Sequence, residues 1–321
     1  MWHITCGCAV AVCALMAHAQ SYPNKPIRFI SPYPAGGAND IIARLVAQRL
    51  SQTLGQQWIV ENRPGRGGNI GTELVARAAP DGYTLVHGGM GSLTLAPFLS
   101  KLNYDAQRDF TPVGVTARAP NLIAVHPALP VHNVAQLIAL ARARPDELDY
   151  ATSGVGSTPH LTATLLQSLT RVRLTHVPYK GSAPATVDLA AGQVQVLFTP
   201  ISAVLPHIAA NKVRPIAVSS LQRSQQLPSV PTVNESGATG VSGFDMNPWF
   251  AMMAPVGAPR EAITRLSTEL QRYLRSAEAA KAFLAQGADP APGTSDELTA
   301  LIRNDLTLWG KVIREHDIRG E

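Results

Sequence analysis

Ile27-Arg28-Phe29-Ile30-Ser31-Pro32-Tyr33-Pro34-Ala35-Gly36-Gly37-Ala38-Asn39-Asp40-Ile41-Ile42 is the stretch that decides the fold. Its first five residues are β-rich, and two prolines and two glycines then break the strand. From Ile42 onward, Val46, Leu50 and Leu54 recur every four residues with Ile41 and Leu45 beside them, which predicts one buried helical face with Asn39 as its N-cap. A strand that turns through glycines into a helix is the opening half of a βαβ unit.

The same rhythm repeats outward from this point. Trp58 to Glu61 reads as a strand, Asn62 to Gly68 as a loop and Ile70 to Ala78 as a helix. Tyr83 to His87 is a third strand that runs into Gly88-Gly89-Met90-Gly91-Ser92. Strands that end repeatedly at glycine-rich loops matter because ligands of open α/β sheets bind outside the carboxyl ends of the strands. Leu122 to Val125 opens a second series: helix 134–142, strand 150–152, loop 153–159, helix 160–169 and strand 174–177. Helix 183–191, strand 194–198, helix 201–209 and strand 213–219 complete it. Gln222 to Gly243 reads as a linker, Phe244 to Ala254 as a returning strand, and three helices are expected over 260–274, 277–286 and 295–313.

The chain has 321 residues, a length that favours two lobes. Hydrophobic residues make up 45% and charged residues 15%, which excludes a disordered chain. The 27 lysines and arginines give a formal charge of +5 but form no runs, so no nucleic-acid partner is expected, and the mild positive field favours small anions. Residues 1–19 differ from the rest. Ile4 to Met16 is apolar, and Ala17-His18-Ala19 matches a small-x-small cleavage site, which reads as a signal peptide and a periplasmic destination. The run is shorter than the about 20 residues needed to span a bilayer. All three cysteines, Cys6, Cys8 and Cys13, lie inside it, so the processed chain carries no thiol.

Several further segments carry a resemblance. These are Tyr22-Pro23-x-Lys25-Pro26-Ile27-Arg28, Pro32-Tyr33-Pro34-Ala35-Gly36-Gly37-x-x-Asp40, Val60-Glu61-Asn62-Arg63-Pro64-Gly65 and Ala79-Pro80-Asp81-Gly82-Tyr83-Thr84-Leu85. The second half adds Ser153-Gly154-x-Gly156-Ser157-x-x-His160, Val177-Pro178-Tyr179-Lys180-Gly181, Ala191-Gly192-Gln193-Val194 and Leu227-Pro228-x-Val230-Pro231-Thr232. Together they resemble the Bug (TctC-type) solute-binding proteins of tripartite tricarboxylate transport. The resemblance implies a two-lobed periplasmic-binding-protein fold of α/β class, each lobe a mixed sheet flanked by helices and the lobes joined by crossing strands. Lobe one is expected from 20–122 plus 247–321 and lobe two from 123–246. It also implies a monomer that captures a small carboxylate and presents it to membrane transporter subunits, or to a sensor receptor. Asn211 stands where the family has glycine before Lys212, and Gln195 where it has aspartate, a change expected to alter polarity near the cleft.

A carboxylate taken out of water needs donors to replace its hydration. In Ala35-Gly36-Gly37-Ala38 the glycines let consecutive N–H groups converge on an anion while the next helix presents its positive end. Tyr33 offers a ring wall and a hydroxyl. Asp40 either opens the helix, favoured there by the dipole, or holds a water or an amino group of the ligand. From lobe two, Ser153, Gly154, Gly156 and Ser157 form the facing donor set, with His160 as a weaker candidate in the first helical turn. Met90 and Ser92 after the third strand, and Thr199 at the end of another, are placed to set specificity. No enzyme is expected. Gly154-x-Gly156-x-x-Pro159 lacks the third glycine of a dinucleotide fingerprint, Ser92 and Ser157 lack the glycine of a nucleophile elbow, and the histidines show no metal-ligand spacing, so neither cofactor nor metal is called for.

Overall fold

The structure, a computed structural model, describes residues 22–315 and residue 318. The segment 1–19, expected to be a signal peptide, lies outside the described residues. Among these residues no helix is long and apolar enough to cross a membrane.

Two mixed sheets organise the chain. The first has six strands, β1 (Ile27–Ser31), β2 (Trp58–Asn62), β3 (Thr84–Gly89), β4 (Phe110–Arg118), β10 (Trp249–Pro255) and β11 (Asp289–Gly293), in the order β11-β4-β10-β3-β1-β2. β1 runs parallel to β2 and β3, and β10 lies antiparallel between β3 and β4. The second has five, β5 (Asn121–Val125), β6 (Asp149–Thr152), β7 (Thr175–Pro178), β8 (Val196–Pro200) and β9 (Arg214–Val218), in the order β7-β6-β8-β5-β9. Here β6, β7 and β8 are parallel and β5 is antiparallel. Each lobe thus has three parallel strands, then the first antiparallel strand to enter it from the other lobe.

Helices cover both sheets. α1 (Ala38–Leu54) buries Ile42, Val46 and Leu50 against Ile27 and Phe29 of β1, the face expected from the four-residue spacing. α2 (Asn69–Ala76) follows β2, and α7 (Arg260–Leu274), α8 (Ala277–Leu284) and α9 (Ser295–Glu315) close the first lobe. The second carries α3 (Val134–Ala143), α4 (Thr158–Thr170), α5 (Ser182–Ala190) and the short α6 (Leu205–Ala209). One apolar cluster continues from lobe to lobe, joining Ile30, Val86 and Leu93 to Ile123, Tyr150 and Phe198. The crossings are residues 119–120, where β4 passes into β5, and 219–248, where the chain returns from β9 to β10.

Several features differ from the sequence reading. The N-cap of α1 is Gly37, two residues before the expected Asn39, whose side chain turns inward. β4 was not anticipated, because Pro112 and Gly114 interrupt its alternation and its pairing with β10 is bulged. β11 contains Pro290 and Pro292, which a central strand excludes but an edge strand tolerates. Phe244 to Pro248 is not strand: it is a crossing segment held by Met246 N–H to Ser219 O at 2.8 Å, and β10 begins only at Trp249. Gln195 precedes β8 at its amino end, away from the strand ends that face the cleft, and accepts Asp149 N–H at 2.8 Å. Asn211 adopts a left-handed φ of 55°, which asparagine tolerates in place of glycine.

Candidate functional site

The carboxyl ends of β1, β2, β6 and β7 each lead through a glycine-bearing loop into a helix: α1, α2, α4 and α5. These four loops meet between the lobes. A Cβ on Gly67 would lie 3.5 Å from the Gly156 carbonyl oxygen, one on Gly91 3.8 Å from the same oxygen, and one on Gly181 3.9 Å from the Pro34 ring. Four helix N-termini, each with a partial positive charge, therefore border one cleft.

The loop Pro34 to Asp40 is held from beneath. Asp40 is 3% exposed, and Oδ2 accepts Gly36 N–H at 2.9 Å and Arg44 Nε at 3.1 Å, while Oδ1 accepts Asn62 Nδ2 at 2.9 Å. Burial pushes this carboxyl up, but the hydrogen bonds from Arg44, Gly36 and Asn62 outweigh it and hold Asp40 below the usual aspartate range. Both oxygens are committed, so Asp40 braces the loop; it was expected either to start the helix or to face a water or ligand. The Gly36 amide, expected to point at an anion, is the one it captures. Gly37 N–H reaches Pro34 O at 3.4 Å. The free donors of this loop are thus the first-turn amides of α1, beginning at Ala38, with Ala35 exposed at the tip.

Beneath this lies a second tier. Asn39 accepts Ser31 Oγ at 2.9 Å and donates to His87 O at 2.8 Å. His87 Nδ1 lies 3.1 Å from Asn39 O, and because a carbonyl only accepts, Nδ1 carries the proton and Nε2 accepts from Thr116 Oγ1 at 2.8 Å. Burial pushes His87 down to about 3, so it stays neutral.

Tyr33 is half-buried with its ring against Gly68, and its hydroxyl faces Ser92. Burial raises its phenol, so the group is a neutral donor and acceptor. Ser92 is fully buried and takes a hydrogen bond from Thr72 Oγ1 at 3.1 Å. Met90 is 3% exposed. Ser92 lies behind Tyr33, and Met90 packs in the apolar core. Thr199 is fully buried and its Oγ1 has no hydrogen-bond partner.

Across the cleft, Ser153 to Ser157 are all partly exposed. Gly154 has φ of 123° and Gly156 of 73°, which fold the loop so that Ser157 Oγ donates to Gly154 O at 2.6 Å and accepts His160 N–H at 3.4 Å as the cap of α4. His160 is 6% exposed. Its Nδ1 accepts Gly156 N–H at 3.3 Å, and its ring stacks on His176 at 4.5 Å, so it braces this loop from behind as Asp40 braces the other. Ser157→Ala removes the cap, and a loss of about 1 kcal/mol of stability is expected in chemical denaturation.

Two parts of the cleft were not singled out from sequence, the loop Arg66–Gly68 before α2 and Gly181 before α5. Both show the signal that identified Gly36-Gly37, glycine between a strand and a helix. Arg66, Asn69, Ser100 and Val155 with Gly156 line a cavity of about 180 Å³ that opens from this meeting point.

Two α/β lobes meeting across a cleft at the carboxyl ends of their parallel strands define the class, the periplasmic binding proteins. The chain belongs to the tripartite tricarboxylate transporter receptor family, TctC, whose profile matches residues 42–318. It is 38% identical to Protein BugT of Bordetella pertussis over 310 residues, covering 96% of this chain and 94% of that protein. To a UPF0065 protein from the tcbD-tcbE intergenic region of Pseudomonas sp. strain P51 it is 36% identical over 316 residues, covering 98% and 94%. Among solved structures, an R. palustris protein with adipate superposes with a TM-score of 0.88 at 38% identity, covering 92% of this chain and 99% of that one. MatC of Rhodopseudomonas palustris with bound malate gives 0.84 at 30%, covering 91% and 100%.

Proposed function

We propose that this chain is an extracytoplasmic solute-binding protein that captures a small mono- or dicarboxylate in the interlobe cleft and delivers it to a tripartite tricarboxylate-type transporter. The observation that carries the reading is the opposition of helix N-termini: α1 and α2 from one lobe face α4 and α5 from the other. No carboxylate side chain in the bracing network is left to repel an anion, since Asp40 is neutralised by Arg44 and hydrogen-bonded on both oxygens. Donors on two sides suit a ligand with a carboxylate at each end, and relatives solved with adipate and malate support that class. The first-turn amides of α1, Tyr33, Ser153 and the backbone around Gly156 are the contacts assigned to it, each charge-assisted bond contributing about 1.5 to 3 kcal/mol.

A ligand that binds only the folded state stabilises it by mass action, by about 2.7 kcal/mol at a hundredfold excess over Kd, and so raises the melting temperature. A panel of C4 to C6 dicarboxylates and their monocarboxylate analogues is expected to contain at least one that shifts the melting temperature, with neutral sugars silent. Shifts from sugars and none from any carboxylate would overturn the assignment.

A further inference from the structure

A second cavity, of about 460 Å³, lies at the other end of the lobe junction and includes none of the cleft loops. Its walls are the end of β4 at Arg118, the two crossing segments, at Pro120 and at Ser220, Gln225 and Asn247, and β11 from Asp289 with the end of α8. The volume is that of an ordinary small-molecule pocket.

Three of its polar groups are unmatched. Arg118 has no carboxylate within ion-pair distance among the described residues; Asp245 and Asp305 feel its charge only at longer range. Asp289 faces Arg118 across the β4-β11 pairing, yet the two form no ion pair, and burial alone pushes the Asp289 carboxyl up with no cation to draw it back. Asn247 Oδ1 is buried without a donor among the described residues, whereas buried acceptors in native proteins are paired with protein, water or ligand donors. The remaining charge, Arg223, is already paired with Glu235 at 2.9 Å. One unmatched cation, one unmatched carboxyl and one unmatched acceptor share the cavity with an apolar wall of Ala280, Leu284 and Pro290.

We propose that this hinge cavity is a binding site for a zwitterionic α-amino acid with an apolar side chain, its carboxylate on Arg118, its ammonium on Asp289 and Asn247 Oδ1, and its side chain against Ala280 and Leu284. The charges of the site cancel, so it selects against the dianions that suit the cleft. Because its walls include both crossing segments, the site is complete only when the lobes stand as they do here.

The test is calorimetry and thermal shift on the full mature chain with L-valine as probe, beside 3-methylbutanoate, which lacks the ammonium, and isobutylamine, which lacks the carboxylate. L-valine is expected to bind and to raise the melting temperature, and each analogue to bind at least tenfold more weakly. Arg118→Met and Asp289→Asn should each weaken L-valine at least tenfold. Asp289→Asn is isosteric on an edge strand and carries the test if Arg118→Met does not fold. No response to L-valine, analogues that bind as well as it does, or L-valine binding that survives Asp289→Asn would overturn the proposal.

Discussion

Asp40→Asn is expected to weaken carboxylate binding about 100-fold, or 2.7 kcal/mol, the largest loss from any isosteric change in the chain. One Asp40 carboxylate orders three elements: the Gly36 amide of the loop, Asn62 at the end of β2 and Arg44 on α1. Its amide replacement sets an NH2 group against at least one of these donors, leaving a donor without an acceptor. The stability cost is about 2 kcal/mol, most of it from the part-buried Gly36 and Asn62 bonds, since Arg44 is half exposed and solvent screens its share. The pH dependence gives a second reading. The folded-state pKa of Asp40 is depressed, so its contribution is full above the unfolded value of about 3.9 and is lost as pH falls through the lower folded value. The stability gap between wild type and Asp40→Asn should therefore be constant above about pH 5 and narrow below about pH 4. Neutral His87 destabilises both proteins alike between its unfolded value of about 6.5 and about pH 4, and cancels in the difference over that range. A gap that stays constant down to pH 2 would mean the carboxylate does not brace the loop.

Gly68→Val should also abolish measurable binding at ligand concentrations that saturate the wild type, through a neighbouring loop of the same lobe. Gly68 has φ of 98°, and a Cβ there would lie 2.9 Å from Cε1 and Cζ of Tyr33. The backbone strain of a side chain in this region is about 1 to 3 kcal/mol, and the collision drives the Tyr33 ring off its seat, away from Ser92 and toward the cleft. Adding Tyr33→Ala removes the collision, so the double variant should recover part of the stability without recovering affinity. Calorimetry alongside denaturation separates the two outcomes; a Gly68→Val protein that binds normally would show that Tyr33 is not a wall of the site.

The sequence exposed the positions where glycine interrupts a strand-to-helix step, because backbone freedom and hydrophobic period are both local properties. Pro34 to Asp40 and Ser153 to His160 were found in that way, and so was α1 with its Ile42, Val46 and Leu50 face. What braces these loops was not visible. The Gly36 to Asp40 bond spans four residues, but the Asn62 to Asp40 bond spans twenty-two and exists only once β1 and β2 are paired. His160 gave no sign of stacking on His176, because that contact depends on α4 lying over β7. β11 was hidden for a different reason: its prolines argue against a strand until an edge position is known to receive it. Local chemistry is written in neighbours along the chain, whereas support for a site comes from pairings between distant segments.

β10 is the central strand of the first sheet, yet it comes from residues 249–255, after the whole second lobe. While the chain is being made, β3 waits with an open edge and β4 has no partner on either side until residue 255 has emerged. The second lobe, contiguous from β5 to β9, is free to assemble first. The order of synthesis thus imposes a delay on half of the molecule: any chain cut short before β10 is stranded with unpaired edges, and only a nearly complete one is able to fold.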